Sequence, residues 1–538
     1  MVVPRPARRT RPGGAGPVVD GYGPPMTGPL DPRLPVLVGV GQITVRDARD
    51  EPLEPADLMA EALRRAETDS GGAGLLAGAD QLLTVAETSW PYRNAALAVA
   101  GRIGARPRRL ASSVVGGNLS GVMLARAAAD IQHSRAETVL LCGGESMRSR
   151  SRLRRAGVEP AWEVQPDSVD REELVGDQRP LVDEVERARG VMLPVEVYPL
   201  FEVALRARLG LGVDEHRARI GGLWSAFSRV AATNPHAWIR TPMTAEEIIT
   251  SSDSNRVISW PYTKLLCSNN QVDQGAALIV TSVAAAELAG VPLDRWVFLH
   301  AGAEAVDHWN VSHRADLCSS PALRLAGRDA YALAGIGPDD VAHADLYSCF
   351  PAAVQIGAIE LGLAPAVAAR GACTVPGWGG IGARLPLTVT GGMTFAGGPL
   401  NDYTTHGVAT MVDVLREDPG SFGLCTANGG YTTEHAVVVL STAPPSAGAY
   451  RHSEPQAEVD ASPRTAMDDG WVGPVTVESC TVPFRDGEPS HVLFAVRNGA
   501  GARSWGRSAD AATMRAAMES DLVGVAAHRD GEGTITLG

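Results

Sequence analysis

The chain has 538 residues, of which 45% are apolar and 5% aromatic, and a formal net charge of −13. That length suffices for several packed layers, and the acidic balance excludes a general nucleic-acid binder. No apolar run reaches the roughly 20 residues of a membrane helix; the nearest, Ala276 to Gly290, carries Glu287. The cysteines at 142, 267, 318, 349, 373, 425 and 480 are odd in number, scattered and without a CxxC pair. That pattern reads as reduced cytoplasmic thiols and not as a disulfide framework or a metal centre.

Residues 1–33 are rich in Pro, Gly and Arg, lack the apolar segment of a secretory signal, and are expected to be a disordered tail. Order begins with the strand pattern from Leu34 to Gly41, followed by a helical pattern over Pro55–Thr68 with Leu58, Ala62, Leu63 and Ala66 on one face. A strand over Gln81–Ala86, a helix over Asn94–Ile103 and a short strand at Val114–Val115 come next. Glycines then lead into a helix from Leu119 to His133 and a strand over Thr138–Cys142. Strand, glycine turn, helix and strand make a βαβ unit. Residues 147–260 are charged and broken by prolines, with a helix over Ala218–Ala231, and read as an insertion capping a site. The strand Ala276–Thr281 closes the first half, 34–285.

The second half, 286–442, repeats the rhythm. It has strands at Trp296–Ala301, His343–Tyr347, Pro386–Val389, Ser421–Ala427 and His435–Ser441, and helices at Pro321–Ala334, Pro351–Leu361 and Asn401–Leu415. Residues 443–470 read as a linker. Residues 471–538 read as a separate β-rich unit, OB-like or split β-α-β, with strands at Val475–Pro483, His491–Arg497 and Thr534–Leu537 and a helix at Ala511–Glu519.

Three segments carry a family likeness: Gly-Asn-Leu-Ser-Gly at 117–121, Gly-Gly-Met-Thr-Phe-Ala-Gly-Gly-Pro-Leu at 391–400, and Thr-Ala-Asn-Gly-Gly-Tyr at 426–431. In order and spacing they resemble the catalytic loops of the thiolase superfamily. Asp273-Gln-Gly-Ala-Ala and Asp345-Leu-Tyr-Ser-Cys-Phe resemble two further loops of that superfamily. With its extra C-terminal unit, the chain is most similar to the actinobacterial thiolase-like proteins of type 1, a group usually labelled acetyl-CoA acetyltransferases. The resemblance implies an α/β, duplicated thiolase fold of two βαβαβαββ halves layered α-β-α-β-α. It implies CoA or acyl-CoA as substrate and no permanently bound cofactor.

The catalytic residues of that family are replaced. Asn118 stands where the resemblance places the nucleophilic Cys, Gly398 where it places an imidazole, and Thr426 where it places a second Cys. Asn118 reads either as a helix N-cap or as a polar ligand contact. Cys425 is one residue from the second Cys position, so strand alternation turns it into the core as a packing residue, unless a local bulge restores it as an acid/base group. His406 reads as a half-buried helix residue.

Tyr347 and Cys349 remain as candidate catalytic groups: Tyr347 as a hydrogen-bond donor, or as acid/base if its pKa is lowered, and Cys349 as nucleophile or packing residue. Gly397, Gly398, Gly429 and Gly430 are the candidate backbone contacts to the CoA ester. Arg148 to Arg155 read as a solvated basic face or a phosphate contact.

Three functions stay open. The first is a thiolase-like acyltransferase with weak or no conventional activity. The second is a retro-aldolase acting on a β-hydroxyacyl-CoA with a separate zinc-ribbon/OB-type partner protein, and the third is a non-catalytic scaffold. The appended unit is expected to cover the sheet edge and hold the protein to a monomer or dimer.

Overall fold

Apolar strands alternating with amphipathic helices give each half of the chain its sheet and its cover. The computed structural model describes residues 30–47, 51–365 and 377–538; Cys373 and nearly all of the expected tail lie outside them. The first half runs β1 (Pro35–Thr44), α1 (Pro55–Ser70), β2 (Gln81–Thr84), α2 (Ala95–Ile103), β3 (Arg109–Ser113), α3 (Leu119–Gln132) and β4 (Thr138–Ser146). An insertion follows with α4 (Met147–Arg155), β5 (Glu173–Val175), α5 (Glu184–Arg189), α6 (Pro194–Leu209), α7 (Val213–Thr233), α8 (Ala245–Ile249), β6 (Val257–Trp260) and β7 (Tyr262–Thr263). The chain then returns through β8 (Asp273–Ser282) and α9 (Val283–Leu288).

The second half comprises β9 (Val297–Val306), α10 (Pro321–Ala334), β10 (Val341–Asp345), α11 (Pro351–Glu360), α12 (Gly392–Phe395), α13 (Tyr403–Glu417), β11 (Phe422–Gly429) and β12 (Glu434–Ser441). The duplication is visible in the pairing. In the first half β1 pairs antiparallel with β8, β8 antiparallel with β4, and β4 parallel with β2. In the second, β9, β12, β11 and β10 repeat that order and those directions. A brief ladder between Val36–Leu37 and Val297–Phe298 joins the halves. Helices α3 and α13 touch each other and strands of both halves, α1 covers the first sheet and α10 the second. The layering is α-β-α-β-α.

Several expected elements shift. The strand expected at Val114–Val115 is β3, which ends at Ser113; Val115 is exposed. The strand expected at Pro386–Val389 makes no ladder. Instead the buried Asp345 carboxylate accepts from Thr388 Oγ1 at 2.8 Å and from the Val389 amide at 3.0 Å, and the Leu387 carbonyl accepts from Leu346 N at 2.9 Å. A side chain has taken over the work of a strand partner.

The expected linker is structured. It supplies β13 (Arg451–Ser453), parallel to β9, and α14 (Gln456–Asp460). Beyond it lie β14 (Gly473–Arg485), β15 (Glu488–Pro489), β16 (Val492–Asn498), β17 (Arg503–Ser508), α15 (Ala511–Glu519), β18 (Ala526–Arg529) and β19 (Ile535–Leu537). This unit has a core of its own, around Val477, Phe494 and Ile535, and also packs on the rest of the chain. Strand β14 pairs with β6 of the insertion, and Leu493, Ala495 and Trp505 belong to the same core as α6, α10 and α11. Arg503 is fully buried and fixes the junction. Its Nε and Nη2 donate to the Glu478 carboxylate, both at 2.7 Å, and Nη1 donates to the carbonyls of Val311, Ser312 and Arg314 at 2.9, 3.0 and 2.8 Å.

The edge of β3 is covered by β5 of the insertion, in parallel register from Ala111↔Glu173 to Ser113↔Val175. Among the described residues no helix is long and apolar enough to cross a membrane.

Candidate functional site

Three loops meet where α3 begins. Asn118 is buried at the N-terminal end of α3 with helical backbone angles, φ −75° and ψ −24°. An N-cap residue ordinarily adopts an extended backbone so that its side chain can reach the free amides. Asn118 does not, and its side chain makes no capping bond. Its Oδ1 is buried without a hydrogen-bond partner. The N-cap reading therefore fails, and the side chain is left facing the cleft.

The β11–β12 ladder sets Glu434 opposite Gly429. A Cβ at Gly429 would overlap Asn118 Oδ1 and lie 2.8 Å from Glu434 Oε2, so only glycine leaves room for both groups. Burial, then the neighbouring Asp177 carboxylate, raise Glu434 to about 7; the Asn118 amide bonds to its carboxylate and works the other way. Glu434 went unnoticed in the sequence, although a carboxylate opening an apolar strand beside a Gly-Gly turn is a readable signal. A cleft of about 520 Å3 opens here, with Asn118, Val122, Arg126, Asp177, Glu304 and Glu434 in its wall.

Tyr347 is buried with its hydroxyl against the Cα of Gly117, and that hydroxyl donates to the Leu400 carbonyl at 3.4 Å. Burial, aided by Cys349, pushes its pKa up, the reverse of the lowering that acid/base work requires. Tyr347 is a proton-bearing donor at neutral pH. Cys349 is buried too, and burial pushes its thiol up to about 11. Asn428 Nδ2 lies 3.7 Å from its sulfur and donates to the Tyr198 hydroxyl at 3.0 Å. Tyr198, from α6, also accepts from the Thr432 amide at 3.0 Å and stacks on Phe350 at 4.4 Å. The insertion is thus locked onto the Gly429–Gly430 turn by a phenol. Neither Tyr198 nor Asn428 was singled out in the sequence.

At Gly398, where the resemblance places an imidazole, the neighbouring space is taken by side-chain ends. A Cβ there would lie 2.5 Å from Ser268 Oγ and 3.2 Å from Asn270 Oδ1. Beneath Gly397, with φ +112°, lies the Gln274 side chain, which donates to the Ala396 carbonyl at 3.0 Å. Asn401 ties this loop to the start of α3, accepting from Gly116 N at 3.1 Å and donating to the Ala86 carbonyl at 2.8 Å.

The structure therefore brings Asn118, Tyr347, Cys349, Gly429 and Gly430 together, with Gly397 and Gly398 on the adjoining loop. Thr426 is turned away, its hydroxyl accepting from the Tyr347 amide at 2.9 Å. Cys425 is buried in the core, where burial pushes its thiol far up. His406 is fully and not half buried, bonded to Gln42 Oε1 at 2.8 Å, and burial lowers it to about 3. In α4, Arg148 lies 5.1 Å over Trp238 and donates to the Arg46 carbonyl at 2.8 Å.

Comparison with known proteins gives a consistent grouping. A family described as "Thiolase C-terminal domain-like" matches residues 303–442. A second, "Thiolase-like protein type 1 additional C-terminal domain", matches 454–533. The monomeric SCP2-thiolase-like protein type 1 of Mycobacterium smegmatis superposes with a TM-score of 0.77 at 30% identity, over 95% of this chain and 100% of that one. A 17-hydroxy-3-oxo-4-pregnene-20-carboxyl-CoA lyase of Mycobacterium tuberculosis is 29% identical over 46% of this chain and 61% of its own length. A steroid side-chain-cleaving aldolase of Thermomonospora curvata is 31% identical over 35% of this chain and 45% of its own. The chain thus spans about half the length of these two curated relatives.

Proposed function

We propose, from the premise that this chain belongs to the SCP2-thiolase-like proteins of type 1, that it handles CoA esters without forming an acyl-enzyme. Thiolase chemistry needs a thiolate at the mouth of a helix and an imidazole beside it. The observation that carries the proposal is the pairing of Asn118 at that mouth, in place of a thiol, with Gly398 on the adjoining loop, in place of an imidazole. The thiols nearest by position do not substitute, since burial holds Cys349 at about 11 and pushes the Cys425 thiol up as well. CoA or an acyl-CoA is the substrate in this reading, with no resident cofactor, in a cytoplasmic monomer or simple dimer; the Mycobacterium smegmatis protein is described as monomeric.

The test uses acetyl-CoA and acetoacetyl-CoA. Calorimetry is expected to show binding, and intact-mass spectrometry no acyl adduct. Turnover comparable to a conventional thiolase, or an acylated cysteine, would overturn the proposal.

A second reading, C–C bond cleavage, is favoured by the names of the two curated relatives and by the proton inventory of the site. In a retro-aldol step a base takes the proton of the β-hydroxyl, the Cα–Cβ bond breaks, a carbonyl forms, and the enolate is protonated at Cα. Glu434, at about 7, has the pKa of a neutral-pH proton acceptor, and Tyr347 keeps its proton to donate to an oxygen. A 17-hydroxy-steroid carboxyl-CoA ester is the substrate to assay, with and without a co-expressed zinc-ribbon/OB-type partner. Glu434→Gln should abolish the slope of rate against pH near 7, and a variant retaining the full profile removes Glu434 from the step.

A further inference from the structure

We propose that Glu304, His452 and Glu454 form a divalent transition-metal site, with zinc as the metal their donors suit, on the wall of the cleft that Asn118 and Glu434 line. The donors come from two segments distant in sequence. Glu304 is near the end of β9, and the parallel ladder places His452 of β13 opposite Gly302. Alternation along a strand sends the side chains of 302 and 304 to one face, so a glycine at 302 leaves the space into which the imidazole packs beside Glu304. A Cβ at Gly302 would overlap the Tyr450 hydroxyl and lie 3.1 Å from His452 Nδ1.

The imidazole is preset. Its Nδ1 lies 3.5 Å from the Tyr450 hydroxyl, while its Nε2 is buried and has no hydrogen-bond partner. That Nε2 faces Glu304 Oε1 at 3.7 Å and Glu454 Oε1 at 3.6 Å. One ligand atom from each residue lies within 4.8 Å of the others. Tetrahedral zinc with bonds of 2.0–2.2 Å sets its ligands about 3.3 Å apart, so the two imidazole–carboxylate distances need to close by a few tenths of an ångström, and the two carboxylates, within 4.8 Å of each other, draw together through rotation of the exposed Glu454 side chain. An outer group on the second ring nitrogen is the usual way a metal-binding His is oriented.

Arg126 Nη2 donates to Glu304 Oε1 at 2.9 Å and holds that carboxylate in place while offsetting part of its charge. Two clefts, of about 520 and 400 Å3, share Arg126 and Glu454, so the side of the triad away from β9 opens to solvent. One imidazole, two carboxylates and an open position match an exchangeable zinc site better than a closed structural one.

The experiment titrates zinc chloride into the chelator-treated, untagged full-length protein by calorimetry, with thermal melting in parallel. One zinc per chain is expected to bind. His452→Ala and Glu454→Gln should each weaken it at least about tenfold, with Tyr450→Phe weakening it less. Saturating zinc should raise the melting temperature of the parent chain by more than that of Glu454→Gln at the same zinc concentration. Glu454 is an exposed side chain, so Glu454→Gln stays folded and keeps the test interpretable. Absence of saturable zinc binding, or a parent-like zinc affinity in either ligand variant, overturns the proposal. The triad is then a histidine bridging two carboxylates.

Discussion

Arg503→Met removes a charge from the junction between the appended unit and the thiolase halves while keeping most of the side-chain volume. Two charge-assisted bonds to Glu478 disappear, and three main-chain carbonyls, at 311, 312 and 314, lose their shared donor. Breaking a buried ion pair from one side costs about 3–5 kcal/mol. Arg497 still reaches Glu478 at 2.6 Å and softens that loss. Val311 O keeps the Arg314 amide as donor at 3.2 Å, and the Ser312 and Arg314 carbonyls add about 1 kcal/mol each where water reaches them only in part. We expect a net destabilisation of about 4 kcal/mol, read as a lower urea midpoint by fluorescence and circular dichroism together.

The pair also fixes a pH dependence. Burial works to raise the Glu478 carboxyl, and the Arg503 and Arg497 guanidinium groups outweigh it, so the folded pKa lies below the usual value. The stabilisation is therefore present above the unfolded pKa of about 4.3 and is lost as pH falls through the folded value. Arg503→Met should remove much of that acid sensitivity. A loss below about 1 kcal/mol, or an early transition confined to the C-terminal strands, would refute the view that this junction is part of the core.

Other expectations follow from the same geometry. A chain ending at Thr442 should aggregate or fail to fold, because it uncovers the core face shared with Leu493, Ala495 and Trp505; a soluble product with native circular dichroism contradicts this. Gly429→Ala should displace Asn118 and Glu434 together and destabilise the chain by about 1–3 kcal/mol, checked by denaturation and a structure of the variant. The double variant Asn118→Cys with Gly398→His should not regain full thiolase turnover, since Thr426 still stands in the place of the second Cys and the Cβ at 398 must displace the Ser268 hydroxyl; acetoacetyl-CoA cleavage near that of a conventional thiolase would contradict this. Glu434 has a folded pKa of about 7, above the unfolded carboxyl, so its contribution to stability is complete at low pH and declines as pH rises toward 7. Glu434→Gln should flatten that decline in a pH series of melting temperatures.

The fold was legible wherever local pattern and loop spacing agreed. The βαβ units and the duplication follow from strands that run through a glycine turn into an amphipathic helix, and the three converging loops from their resemblance, in order and spacing, to those of the thiolase superfamily. The expected Pro386–Val389 strand failed because Asp345, an acid 41 to 44 residues earlier in the chain, captures its polar groups, and no window of local sequence contains that partner. The linker failed for a related reason: Pro, Ser and Ala between 443 and 470 describe how freely the segment moves alone, and not the β9 edge on which it settles. Within the site, Asn118, Tyr347 and Cys349 were found by position in the loops. Glu434 and Tyr198 act by touching those loops from other elements, which spacing cannot reveal.

The three residues of β5 have a reach beyond their size. A bare strand edge offers a ready template of amides and carbonyls to any passing chain, its own copies included. With Glu173 to Val175 laid along β3, that template ends in a stub too short to propagate a ladder. A companion molecule meeting this flank would have to recognise side chains, among them the Arg109–Glu173 pair, and not an anonymous rail of backbone. Encounters there become a matter of selective fit, with a sequence-coded surface in place of a generic adhesive one.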